Sequence, residues 1–275
     1  MIVRFFLAWL CLAATCVAAE VRKAVAFSEL PSAVQKAIGK LGGNAAAEFT
    51  RVEEDGATTF ETEITQGGRE RDISVGEDGT LLSIEVTPAE TPAAVQKAIT
   101  AQVGAGALVG VDKIFDDGET SYDVVMTTKA GQERAFTVEE DGTVSSLEVA
   151  LAETPAAVQK TITAQVGTGK LGTVTRIFDE STTYDVEAGT VDGKAREFSV
   201  GADGKMLSVR VTLEETGPEV QKTIREQIGT GKILRIDKSF ERRSKTLPYE
   251  VEGMKNGKPF NFSVGAAGKF LGMDE

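Results

Sequence analysis

The side chains able to do chemistry in this chain are carboxylates, hydroxyls, lysines and arginines, because its 275 residues include no histidine. Ser-His-Asp and Cys-His catalysis and imidazole metal sites are thereby excluded. Cys11, Cys16 and the single tryptophan, Trp9, all lie in the first sixteen residues. Beyond them there is no material for a disulfide framework, a zinc knuckle or a thiol nucleophile. What dominates is acid: 42 Asp+Glu against 30 Lys+Arg, a formal charge of −12. That balance argues against nucleic acid or anionic lipid as partner.

Three arrangements of these residues approach known chemistry and stop short of it. Gly167-Thr168-Gly169-Lys170 and Gly229-Thr230-Gly231-Lys232 resemble the end of a phosphate-binding loop. Ala164 and Glu226 stand where the first glycine is needed, and Leu171 and Ile233 replace the Ser/Thr. Each segment also follows an expected helix, whose C-terminal dipole repels phosphate. Asp116-Asp117-Gly118 and Glu139-Glu140-Asp141-Gly142 suggest calcium, yet Lys113, Phe115 and Thr137 occupy required ligand positions. Turn chemistry is the better account of both. Carboxylate-pair hydrolysis needs two acids in a cleft, and no loop long enough to build one is visible. No catalytic residue, metal or cofactor is therefore expected.

The elements that carry these residues repeat along the chain. Val-Gln-Lys occurs at 34–36, 95–97, 158–160 and 220–222, with spacings of 61, 63 and 62, and Ile38, Ile99, Ile162 and Ile224 follow each Val by four. An aromatic-acidic pair recurs at Phe60-Glu61, Tyr122-Asp123, Tyr184-Asp185 and Tyr249-Glu250, and a third landmark at Ile73-Ser74-Val75, Phe136-Thr137-Val138, Phe198-Ser199-Val200 and Phe262-Ser263-Val264. Landmarks that keep one period mark an internal repeat.

Around the second Val-Gln-Lys, Thr91 reads as an N-cap and Pro92 as the first helical residue. Val95, Ile99 and Val103 form one apolar stripe, and Gly104 and Gly106 end the helix. Tyr122, Val124 and Met126 then alternate with polar residues, followed by Phe136 and Val138, the Asp141-Gly142 turn, and Leu147 and Val149. The inward face of the strand over Val109 to Phe115 is not set by its pattern. The expected fold class is α+β: four tandem repeats of about 62 residues, each one helix packed on a four-stranded antiparallel meander. The expected boundaries are 20–87, 88–149, 150–212 and 213–275. A unit of this size is marginal alone, so neighbours are expected to pack together.

Pro-x-x-Val-Gln-Lys-x-Ile, Tyr-Asp/Glu-Val, Phe-Ser/Thr-Val and Asp-Gly together resemble the PepSY-like family related to β-lactamase-inhibitor protein, over essentially all of 28–275. The resemblance implies an envelope or secreted module, with some relatives binding or restraining other proteins, peptidases and β-lactamases among them. The fourth segment departs most, with Glu241-Arg242-Arg243-Ser244-Lys245 where the others have an acidic turn.

Residues 1–19 read as a signal peptide: Arg4, an apolar Phe5–Leu12 stretch, and Val17-Ala18-Ala19 before a cut at Glu20. Its apolar stretch is shorter than the ~20 residues of a spanning helix. A periplasmic or secreted location is expected. A lipid-modified Cys16 is the rival reading, weakened by Thr15 beside it.

Strand alternation buries the recurring aromatic ring and sends its acidic neighbour to the opposite, outer face. That face should carry Asp123, Val125, Thr137, Glu139, Ser146 and Glu148, and later Asp185, Glu187, Ser199, Ser208 and Arg210. The candidate partner-binding residues are Asp123, Thr137, Glu139, Glu148, Asp185, Glu187, Ser208 and Arg210, and the expected partner is a protein or peptide. Solvated antiparallel sheets present such Thr, Ser and carboxylate faces in any case. The face lacks the Tyr, Trp and Arg clusters of tight interfaces. A spacer protein without a dedicated ligand is the competing reading.

Overall fold

In the computed structural model, residues 21–43, 47–54, 57–116, 118–189, 195–240, 248–255 and 258–273 are described. Both the expected leader and the Glu241–Lys245 run lie outside them. The chain divides into two compact units that meet in sequence at Glu148 and Val149.

The first unit runs β1 (Val21–Val25), α1 (Ser32–Lys40), β2 (Phe49–Glu54), β3 (Ala57–Gln66), β4 (Arg69–Gly76), β5 (Leu81–Glu85), α2 (Ala93–Val103), β6 (Ala107–Asp116), β7 (Glu119–Thr127), β8 (Glu133–Glu139) and β9 (Val144–Glu148). Each strand pairs antiparallel with the next, from β1 through β9. In the second unit α3 (Ala156–Val166) precedes β10 (Lys170–Phe178), β11 (Thr182–Gly189), β12 (Ala195–Gly201) and β13 (Met206–Arg210). There follow α4 (Pro218–Ile228), β14 (Lys232–Ser239), β15 (Pro248–Lys255), β16 (Lys258–Pro259), β17 (Phe262–Gly265) and β18 (Phe270–Met273).

This corrects the expectation of four repeats of one helix on a four-stranded meander. Among the described residues the chain is mostly antiparallel sheet, 51% strand against 23% helix, with eighteen strands assigned to one large sheet. The reason is hydrogen bonding. A meander that stopped at β5 would leave that strand's outer N–H and C=O groups unpaired. Instead β6 bonds there, with Glu85 opposite Asp112 and Ile84 opposite Lys113. In the second unit β14 bonds to β13 in the same way, with Arg210 opposite Asp237.

Each of the four α-helices among the described residues lies on one side of its strands. Each buries the Val and Ile of its Val-Gln-Lys-x-Ile segment against the inward strand residues. Val95 and Ile99 pack with Tyr122, Val124, Phe136 and Val138. Val158 and Ile162 pack with Tyr184, Val186, Phe198 and Val200. The glutamine between them works locally. Gln35, Gln96, Gln159 and Gln221 each donate a side-chain N–H to the backbone carbonyl five residues earlier, at 2.7–2.9 Å. Thr91 is not the N-cap of α2. Pro92 holds that position, and the Thr91 hydroxyl donates to Pro88 O at 2.8 Å, closing a 3-10 turn over Pro88–Glu90. Similar turns precede the other helices, each closed by a glutamate, Glu29, Glu153 or Glu215, that accepts the backbone N–H three residues before it.

The glycines after the helices answer to sterics. A Cβ on Gly106 would stand 2.3 Å from Thr127 O, and one on Gly169 would stand 2.1 Å from Gly189 O. The Gly-Thr-Gly-Lys pattern is thus a helix stop beside a strand.

Candidate functional site

With the helices on one side, the opposite sheet face is the candidate surface. The recurring rings point to the helix side: Phe60, Tyr122, Tyr184 and Tyr249 are all buried. Alternation then places Asp123, Thr137, Glu139 and Glu148 on the outer face of the first unit, and Asp185, Glu187, Ser208 and Arg210 on that of the second.

In the first unit the structure joins several of these directly. Asp123 stands opposite Thr137 and Thr137 opposite Ser146. The Thr137 hydroxyl donates to Asp123 Oδ1 at 2.8 Å, and the Ser146 hydroxyl donates to Thr137 Oγ1 at 2.9 Å. Glu148 accepts the Ala135 N–H at 2.9 Å, and Glu139 faces Ser121 two pairs along from Asp123 and Thr137.

The same row continues through residues that sequence reasoning missed. Asp112 lies opposite Asp123, and Glu85 opposite Asp112. Three carboxylates therefore stand in cross-strand register on β5, β6 and β7, with Asp72 of β4 adding a fourth charge nearby. Burial, then the charges of Glu85, Asp123 and Asp72, push the Asp112 carboxyl up to about 7. Burial also raises Asp123, opposed by its Thr137 hydrogen bond. Arg69 approaches Glu85 at 4.0 Å. Arg71 pairs instead with Glu90 and donates to Glu85 O at 2.8 Å. Asp112 escaped the sequence reading because β6 has a register shift between Leu108 and Gly110, which breaks the alternation that would have shown its face.

The second unit answers the same positions differently. Arg210 occupies the place of Glu85, Asp237 that of Asp112, and Glu250 that of Asp123. Arg210 bonds Glu197 at 2.6 Å, while Arg235 pairs with Asp237 and lies 4.0 Å from Glu197. Burial raises the Glu197 carboxyl, offset in part by Arg210 and Arg235. Glu187 faces Glu197, Asp185 accepts a hydrogen bond from Ser199, and Ser208 stands between Ser199 and Ser239.

Other chemistry finds little support. Asp78, Asp141 and Asp203 each accept a backbone N–H two residues on, and these bonds, with that of a Lys205 ammonium at Asp203, hold their carboxyls below the usual range. Their acids serve turns. No group of three or more Asp, Glu, Cys or His among the described residues is placed to hold a metal ion. A cleft of about 380 Å³ on the second unit, lined by Gln165, Arg196, Met206, Glu215, Lys238 and Phe240 among others, contains one carboxylate, not the pair that hydrolysis needs. No helix among the described residues is long and apolar enough to cross a membrane.

No family model matches the chain, and no curated protein matches it. Solved structures similar to parts of it include proteins of Bacteroides. A DUF2874-family protein of Bacteroides ovatus is 16% identical, with a TM-score of 0.33, over 44% of this chain and 86% of that one. A BLIP-like protein of Bacteroides fragilis is 13% identical, with a TM-score of 0.33, over 44% and 85%. A Bacteroides thetaiotaomicron protein, provisionally described as periplasmic and calcium-regulated, is 17% identical, with a TM-score of 0.31, over 46% and 95%. Likenesses this distant carry no argument about what this chain binds, and the PepSY-like resemblance rests on the motif residues alone.

Proposed function

We propose that the chain is an exported, non-enzymatic binding protein whose uncovered sheet face engages a basic segment of another envelope or secreted protein. The observation that carries this reading is the in-register row Glu85–Asp112–Asp123. Like charges directly opposite one another on a sheet are destabilising, and a merely solvated face has no need of them. A cationic partner would relieve that repulsion, so binding and the relief of strain coincide. Export is supported by the signal-like composition of residues 1–19, and a peptidase as partner by the PepSY-like resemblance.

The test is affinity capture from envelope and secreted extract, repeated with Asp123→Lys and Asp185→Lys. Saturable capture that falls at least tenfold on charge reversal supports the reading. Capture indifferent to both reversals moves the site off this face. The spacer reading has one observation in its favour: in the second unit Arg210 and Arg235 already pair with Glu197 and Asp237 within the face. Failure to capture anything with folded protein favours that reading.

A further inference from the structure

The two units build one apolar floor and rim it differently. Their registers match: Ile84 faces Ile73 and Lys113, as Val209 faces Phe198 and Lys238. In the first unit Leu81, Val86 and Phe115 pack against the core under α1. In the second, Met206, Val211 and Phe240 hold the matching places against the core under α3. Leu41, seven residues after Val34, joins the first floor, whereas the residue seven after Val158 is Gln165. Arg71, two residues before Ile73, is closed off by Glu90. Its Nη1 donates to Glu90 Oε2 at 3.1 Å, its Nη2 makes a second bond, and its side chain is 8% exposed. The counterpart of Arg71, two residues before Phe198, is Arg196, and that of Glu90 is Glu215. No ion pair joins these two among the described residues.

Where the first unit holds that closed pair, the second holds its cleft of about 380 Å³, a volume in the ~300–1,000 Å³ range of small-molecule sites. Gln165, Arg196, Glu215 and Lys238 line it above the Met206, Val211 and Phe240 floor. Glu215 is already engaged, accepting the Thr212 N–H at 2.8 Å to close its 3-10 turn. Lys238 lies over the Phe240 ring, 5.5 Å from the centroid. Neither Lys238 nor Arg196 has a carboxylate within ion-pair distance among the described residues. Two cations and one carboxylate leave the cleft one positive charge, in a chain of formal charge −12. Cations without a counter-ion beside an apolar floor suit an anion that brings apolar surface of its own.

We propose that this cleft binds a small carboxylic acid with an apolar body, its carboxylate held by Arg196 and Lys238 and its body laid on Met206, Val211 and Phe240. The guanidinium and the ammonium supply charge-assisted hydrogen bonds, the Gln165 amide supplies a further donor, and the floor takes the body out of water. One negative charge completes the balance of the cleft. A second would meet Glu215 and the field of an acidic chain. The cleft lies wholly in the second unit, and its floor packs on the core under α3, on the helix side of the strands. It is therefore separate from the acidic sheet face and is tested without touching it.

The probe is 4-phenylbutanoate, titrated into the full chain carrying carbon-13 methyl methionine and followed by NMR. Met206 lines the cleft, Met126 lies in the core of the first unit, and Met206→Leu assigns the signal. The expected result is a saturable shift at Met206 and none at Met126, weakened roughly fivefold or more by Arg196→Gln and by Lys238→Gln. Acetate, which has the charge without the body, and 4-phenylbutan-1-ol, which has the body without the charge, should each bind roughly tenfold more weakly or worse. Melting temperature checks that each variant remains folded. If Arg196→Gln does not, Gln165→Glu, which sets a second carboxylate in the cleft, is read in its place and should weaken binding as much. Absence of a saturable shift at Met206, equal binding of the alcohol, or binding indifferent to the substitutions each overturns the proposal.

Discussion

Asp112 is the residue in which sequence, fold and electrostatics of the first unit meet. Its carboxyl sits near 7 in the folded chain against an ordinary 3.8, raised by burial and by Glu85, Asp123 and Asp72. Between those values the folded state holds a proton that the unfolded state has lost, so stability falls as pH rises through the window. The carboxyls with lowered values act elsewhere. Glu90, held at about 2 chiefly by Arg71, loses its contribution only as pH drops below the ordinary 4.5. Burial raises Asp123 and Glu197 in the same direction, so the difference between the chain and its Asp112 variant, and not the whole slope, reports Asp112. Asp112→Asn should raise stability at pH 8, leave it nearly unchanged at pH 4 and flatten the dependence between, as read by urea unfolding across pH. An unaltered slope in the variant would place the titration on another group.

The turns and helix ends test the link from glycine geometry to packing. Gly118 and Gly142 both have a φ of +89°. A Cβ on Gly118 meets nothing within 4 Å, whereas one on Gly142 would lie 2.8 Å from Ala94 O of α2. Gly118→Ala should cost about 1–2 kcal/mol of backbone strain alone. Gly142→Ala should cost clearly more, because α2 must move from its sheet, and thermal unfolding of the pair separates the two terms. In Gln96→Ala the Thr91 carbonyl loses the side-chain donor that the motif glutamine supplies, an expected loss of about 1 kcal/mol in the same assay. At this scale much was legible in the sequence. The stripe of Val95 and Ile99 and the alternation of Tyr122 and Val124 announced their buried faces, because both follow the periods of a helix and a strand. The 3-10 turn that displaced Thr91 from the cap was hidden, since Thr-Pro looks the same before either kind of turn. Hidden too was the joining of meanders into one sheet, because pairing between β5 and β6 is written in backbone groups that every residue carries. The row through Asp112 was lost with it, for Glu85 and Asp112 become neighbours only through that pairing.

On the scale of the molecule, the two units put opposite electrostatics on matching strand positions. Glu85 faces Asp112 in the first, and Arg210 faces Asp237 in the second. A chain of formal charge −12 gains nothing in stability from concentrating acid in one row, since self-repulsion already opposes its compact state. The difference should make the units respond unequally to pH. Opening free energies from hydrogen exchange, corrected for intrinsic rates, should fall more steeply from pH 5 to 8 for amides of β6 and β7 than for those of β14 and β15. Exchanging the two residues should exchange the behaviour. Glu85→Arg brings a cation opposite Asp112 and should reduce the fall in the first unit, while Arg210→Glu strips Glu197 of its 2.6 Å partner and should steepen the fall in the second. Uniform loss of protection across both units in the unaltered chain would mean that the whole charge, and not this row, governs the response. Should the exchange succeed, the acid of the first unit is a local property that two positions control, and the same Glu85→Arg variant then measures how much of any basic partner's affinity that row supplies.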